Sequence, residues 1–281
     1  MKFAIIGHQS PLARPFLKLL NEIDDGHEYV FYEKGKFLPI VEFRSGEMAV
    51  RSLDETDPAQ IDADLLIFFP VAADQEMMLL AEGAGKRVLD LKGVFADDNS
   101  VPLVVPGVKP SKYRNAPIVS VADVHLFILA PLLWSMENRF HVKRAAISIH
   151  TPDPIETVED DYTDKEIDLI NQSLKILDDK QTRLTVSFTQ NLVDEMTRFY
   201  LNVEFIRPLN TDTLKKQIQE MPMFTYSRSE AENDCCRVLI ARTRRDLSVD
   251  SGLHMALEAR HLPDIYAAGL QQLLHVMSEK E

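Results

Sequence analysis

The chain has only two cysteines in 281 residues, and they are adjacent, Cys235 and Cys236. There is no CxxC and no metal-ligand spacing. Read as neighbours on a strand, the two thiols point to opposite faces, which disfavours a mutual disulfide. They read as two half-buried thiols in a reduced compartment. Long apolar runs are also missing. The best candidate, Val124 to Leu133, begins next to Asp123 and falls well short of the roughly 18 residues a membrane helix needs. One lysine precedes Phe3-Ala4-Ile5-Ile6, with no cleavage site, so a signal peptide is not read and the cytoplasm is the expected location. Positive charge is in deficit: the net charge is −13. Phosphate backbones and anionic headgroups repel such a chain, so neither nucleic acid nor a membrane is an expected partner.

What is present is the balance of a globular protein, 45% hydrophobic and 27% charged, at a length that suits two compact lobes. Lys2 to Ile6 reads as a buried strand. A turn over Gly7 to Pro11 follows, then a helix carrying Leu12, Phe16, Leu19 and Leu20 at helical spacing. Leu65 to Phe69 is read as the second strand. Asp74 caps the next helix, and Lys86 to Asp90 is the third strand. The stretch Pro102 to Pro110, with three prolines and a glycine, leaves room for one short strand, and Ile118 to Ser120 for another. From Val142 the pattern changes to strands at Ala145–His150, Arg183–Thr189, Tyr200–Phe205 and Arg237–Thr243, with helices near Thr163–Asp178 and Thr211–Glu220. A turn at Val249–Gly252 leads to a strand ending near Ala259, and Asp264–Met277 reads as a closing helix. The expected class is α/β: a Rossmann-like doubly wound parallel sheet plus an α+β domain with a largely antiparallel sheet. The expected boundaries are 1–123 with 258–281 for the first domain and 124–257 for the second.

Three stretches carry a family resemblance. Lys2 to Ala13 (KFAIIGHQSPLA) stands where a GxTGxVG phosphate loop belongs. Val88 to Phe95 (VLDLKGVF), followed by Val101 to Pro110 (VPLVVPGVKP), is similar to a VIDxSxxF…DVPLVVPEVNP run. Leu239 to Asp246, Ser251-Gly252-Leu253 and the closing helix match a terminal hairpin and returning helix. Together they resemble the aspartate-semialdehyde dehydrogenase family, as a degenerate member similar to its enzyme-like relatives. The resemblance implies a homodimer that pairs through the second-lobe sheet.

It also implies a chemistry whose residues can be checked. A phosphate loop needs glycines so that its amides can turn tightly and approach the phosphates. Gly7 alone remains; Ser10 and Ala13 stand at the later glycines, and Pro11 removes a donor. Gly7, Gln9, Ser10 and Leu12 are the vestige of a cofactor site. A strand-to-helix turn without ligand is slightly favoured over weakened dinucleotide binding. No cofactor is expected, and NADP at most weakly. Leu91 and Lys92 replace hydroxyl residues at a cofactor contact, and about Ala259 replaces an asparagine. The family's thioester route needs a cysteine thiolate at a helix start. Val124 takes that place with a short gap, Ser120 without one, and His125 is the nearest base for a serine. The family's general-base histidine falls at about Thr197. No catalytic residue is therefore assigned.

Other groups read as structural first. Glu156, Glu159, Asp160, Asp161, Asp164 and Glu166 lack calcium-loop spacing and suit a helix N-terminus. His254, His261 and Glu258 could hold a metal, but separate roles are favoured, and no metal is assigned. Arg207 or Arg242 could hold a small anionic ligand; surface pairing is the default for them and for Arg244 and Arg245. The expected function is a non-catalytic binding, scaffolding or sensor homodimer. The alternative is an NAD(P)-dependent oxidoreductase acting on an aldehyde or acyl phosphate with relocated catalytic groups.

Overall fold

In a computed structural model of the protein, the first apolar run forms β1 (Lys2–Ile6), buried on both faces after its first residue. The structure describes residues 1–35, 38–44, 46–109, 113–156, 161–178 and 181–279. It divides into two units, Met1–Asp123 with Tyr266–Glu281, and Val124–Ile265.

The first unit adds β2 (Glu28–Glu33), a small hairpin of β3 (Val41–Phe43) and β4 (Gly46–Met48), and β5 (Val50–Ser52). It continues with β6 (Leu65–Phe68), β7 (Arg87–Asp90), β8 (Leu103–Val104) and β9 (Ile118–Val121). Seven of these form one sheet in the order β5-β2-β1-β6-β7-β9-β8, with every pairing parallel. Helices α1 (Ala13–Glu22) and α2 (Gln75–Gly83) connect its strands. Asp74 caps α2 by accepting from the Met77 amide at 3.1 Å. Continuous burial of β1 and β6 is what a parallel sheet covered on both faces demands. Met78 and Ala81 of α2 bury against Ile6, Leu66 and Phe68.

The second unit opens with α3 (Leu126–Phe140). Its sheet contains β10 (Val142–Thr151), β11 (Arg183–Gln190), β12 (Thr197–Phe205), β13 (Phe224–Thr225), β14 (Val238–Arg245) and β15 (Gly252–Ala259). The order is β11-β10-β12-β15-β14-β13; the outermost pairings on both sides are parallel and the inner three antiparallel. Helices α4 (Asp164–Leu177), α5 (Thr211–Gln219) and α6 (Arg228–Asn233) complete the unit, and α7 (Leu262–Ser278) closes the chain. Strand alternation puts Ala145, Ile147, Phe199, Leu201, Leu253 and Met255 on a buried face. The opposite face carries Ala146, Ser148, Tyr200, Asn202, His254 and Ala256. No helix among the described residues is long and apolar enough to cross a membrane.

Three readings need correction. Strand β2 and the short β5 precede Leu65, so Leu65–Phe68 is not the second strand of the sheet. The exposed Glu28 at one end and the glutamate at the other mask β2 as a polar segment. The boundary at 258 moves to Tyr266, because Glu258 and Ala259 pair with Arg198 and Thr197 inside the second sheet. The cysteines are not on a strand: β14 begins only at Val238, and both precede it in a turn.

Candidate functional site

The turn after β1 is built around Gly7. Its φ is +84°, and a Cβ there would meet the Ala72 Cβ at 2.8 Å, so glycine is required by backbone conformation and by space. The Gly7 amide donates to the Tyr32 carbonyl, the Ser10 amide to Gly7, and the Ala13 amide to Ser10. Pro11 and Pro15 have no amide hydrogen to offer. Leu12 stands at the N-cap of α1 without a side-chain cap.

The Gln9 amide points to a carboxylate. It donates to Glu33 Oε2 at 3.2 Å, and the Lys34 amide donates to Glu33 Oε1 at 3.2 Å. Glu33 closes β2 and is buried. His8 Nδ1 lies 3.1 Å from Glu33 Oε2, an ion-pair distance without hydrogen-bond alignment. Burial holds the His8 imidazole below its ordinary value, against the opposing pull of Glu33, so near neutral pH the histidine is uncharged. The Lys34 ammonium lies 3.7 Å from Asp74. The turn after β1 thus already has a buried carboxylate group seated on its Gln9 amide. An acidic residue ending the second strand of such a sheet ordinarily meets a ribose hydroxyl. Here it meets the loop itself. With β2 unread, sequence reasoning had no reason to single out Glu33.

The loop after β7 is organised by Asp90, which is fully buried. It accepts from the amides of Lys92, Gly93 and Phe95 and from the Ser120 hydroxyl, each at 3.0 Å. Burial pushes the Asp90 carboxyl up, and these donors pull it down. The Ser120 hydroxyl donates to this carboxylate from a fully buried position, where it has no exposed surface to offer a substrate. Leu91 is buried and Lys92 exposed.

In the second unit His125 is buried, its ring edge-on to Phe188 and Phe199 at centroid distances of 5.1 and 6.1 Å. Val124 is half-buried just before α3. Thr197 is buried at the start of β12, opposite Ala259. His254 lies 3.4 Å from Asp246 and near Asn202, whereas Glu258 lies 3.4 Å from Arg228, so those two have separate partners; His261 is exposed ahead of α7. Arg242, Arg244 and His254 line a 330 Å³ dish on the open sheet face. Arg207 lies beyond β12, and Arg245 donates to the Asp250 carbonyl.

The acidic stretch resolves into a helix cap. Thr163 and Glu166 form a reciprocal capping box, and Glu166 Oε1 also accepts from the Phe188 amide at 2.8 Å. Asp164 lies in the same first turn, Glu156 and Asp161 lie outside the helix, and Glu159 and Asp160 fall outside the described residues. Burial pushes the Cys236 thiol up to about 12, which keeps it protonated and poorly nucleophilic near neutral pH.

The architecture has clear counterparts among solved structures. Aspartate semialdehyde dehydrogenase II of Vibrio cholerae, in complex with ASA, matches with a TM-score of 0.81 at 19% identity, over 98% of this chain and 97% of that one. The chain has the fold of the aspartate-semialdehyde dehydrogenases. A probable aspartate-semialdehyde dehydrogenase of Pseudomonas aeruginosa matches with a TM-score of 0.81 at 14% identity, over 98% of each chain. The Candida albicans enzyme with NADP matches with a TM-score of 0.77 at 15% identity, over 98% of this chain and 97% of that one. No protein-family model and no curated protein sequence matches the chain.

Proposed function

We propose that the protein is a non-catalytic binding or scaffolding homodimer on the aspartate-semialdehyde dehydrogenase fold. The observation that carries this reading is the buried Glu33 carboxylate on the Gln9 amide. Two unit charges of like sign 4 Å apart repel by about 4 kcal/mol in partly buried surroundings. An NADP 2′-phosphate brought to the end of β2 would meet that repulsion, and the cofactor ribose would have to displace the carboxylate from the Gln9 amide. Hydride transfer cannot proceed without a nicotinamide cofactor in place. The complete burial of Ser120 and the protonated Cys236 thiol further support the reading.

NADP binding is accordingly weak. Calorimetric titration of NADP into the wild type and a Glu33→Gln variant tests this. The variant keeps the side chain's size and removes its charge, so affinity should rise by about tenfold or more. Equal affinities, or tight NADP binding by the wild type, would overturn the proposal.

The open face of the second sheet supports the homodimer. Ala146, Ser148 and Ala256 are small and flank the half-exposed Tyr200, which leaves a low surface against which a second copy can pack.

A further inference from the structure

The two cysteines occupy the centre of a tight turn between α6 and β14. The Arg237 amide donates to the Asp234 carbonyl at 3.1 Å, which closes a four-residue turn with Cys235 and Cys236 at its middle positions. Asp234 stabilises it from the first position by accepting from the Cys236 amide at 3.0 Å. A strand would send these side chains to opposite faces. The turn instead leaves their sulfurs 4.0 Å apart, and the two sulfurs and an Asp234 carboxylate oxygen all lie within 4.8 Å of one another.

That spacing has a chemical meaning. Sulfurs bound tetrahedrally at about 2.3 Å from zinc stand roughly 3.8 Å apart. A disulfide would require them at about 2.05 Å, so the turn sits close to a chelating geometry and far from an oxidised one. Among the described residues this is the one cluster of three metal-ligating side chains. We propose that Asp234, Cys235 and Cys236 form a binding site for a thiophilic divalent cation of the zinc and cadmium class.

The remaining features fit such an ion. Cys235 is exposed, so the cation has a path of entry. Asp234 already accepts from the Cys236 amide through Oδ1 and from Arg237 Nε through Oδ2 at 3.3 Å. Each carboxylate oxygen has a second lone pair to give. Coordination removes the thiol protons outright. Two thiolates and the carboxylate then carry three negative charges; the divalent cation offsets two, and the Arg237 guanidinium, shared by Asp234 and Glu230, lies beside the third. The Cys236 thiol donates to the Asp264 carbonyl at 3.8 Å, a bond given up when the cation takes the proton's place. The fourth position stays open to water or to a ligand of the ion.

The test uses the full chain, reduced and freed of metal, titrated with Cd2+ against a chromophoric chelator. The ultraviolet thiolate-to-cadmium charge-transfer band is recorded in parallel. The wild type should bind a single Cd2+ with that band. Cys235→Ser, which alters an exposed side chain, should weaken binding by about tenfold or more, and the double Cys235→Ser/Cys236→Ser variant should lose the band. Asp234→Asn should weaken binding while leaving the band. Absence of the band from the wild type, or undiminished binding by the double variant, overturns the proposal.

Discussion

At Asp90 one buried carboxylate closes the loop after β7 by receiving three backbone amides and the Ser120 hydroxyl. Each buried donor left without a partner costs about 1–3 kcal/mol. Asp90→Ala should therefore lower stability by about 3 kcal/mol or more, read from urea unfolding, and a loss below about 1 kcal/mol would contradict this role. His8 sets a pH dependence of its own. Its pKa is depressed in the folded protein from an ordinary value of 6.5, mainly by burial, and His27 is depressed for the same leading reason. In the window below 6.5 and above the folded-state values, the unfolded chain binds more protons. Stability is thus fully present above that window and declines as the pH falls through it. Melting temperature should drop on acidification from pH 7.5 to about 5.5, and His8→Gln should flatten part of that slope. An unchanged slope in the variant would remove His8 from the account.

Among the elements, α4 shows how a run of acidic residues serves a helix. Thr163→Ala should cost about 1 kcal/mol through the lost cap. Glu166→Ala should cost more, because Glu166 also receives the Phe188 amide of β11. Urea titrations of both variants check the order, and equal losses would deny Glu166 its second role. The elements also show what the sequence makes readable. Strands β1 and β6 are continuous apolar runs, α4 and α5 announce themselves by caps and periodicity, and α7 by its periodicity. Strand β2 hides because its termini are glutamates, and with it hides Glu33, whose partner Gln9 is 24 residues away. The cysteine turn hides because Val238 to Ala241 invites an extension of the strand backward, whereas Asp234 and the Arg237 amide close a turn there. Gly7 is readable as a needed glycine, but its neighbour Ala72 is known only from the fold.

At the scale of the whole molecule, the proposed homodimer predicts that light scattering at micromolar concentration reports twice the chain mass. Tyr200→Glu or Ala256→Arg on the open sheet face should shift it toward the single chain. A wild type of single-chain mass would reject that interface. The central claim is that this dehydrogenase fold does not carry out the dehydrogenase reaction. Its most direct test is the purified protein with aspartate semialdehyde, phosphate and NADP, followed by NADPH absorbance, beside Cys235→Ser and Cys236→Ser. The account predicts no NADPH above background in any of the three. Turnover by the wild type that disappears in either cysteine variant would contradict it and place a working nucleophile in the turn before β14.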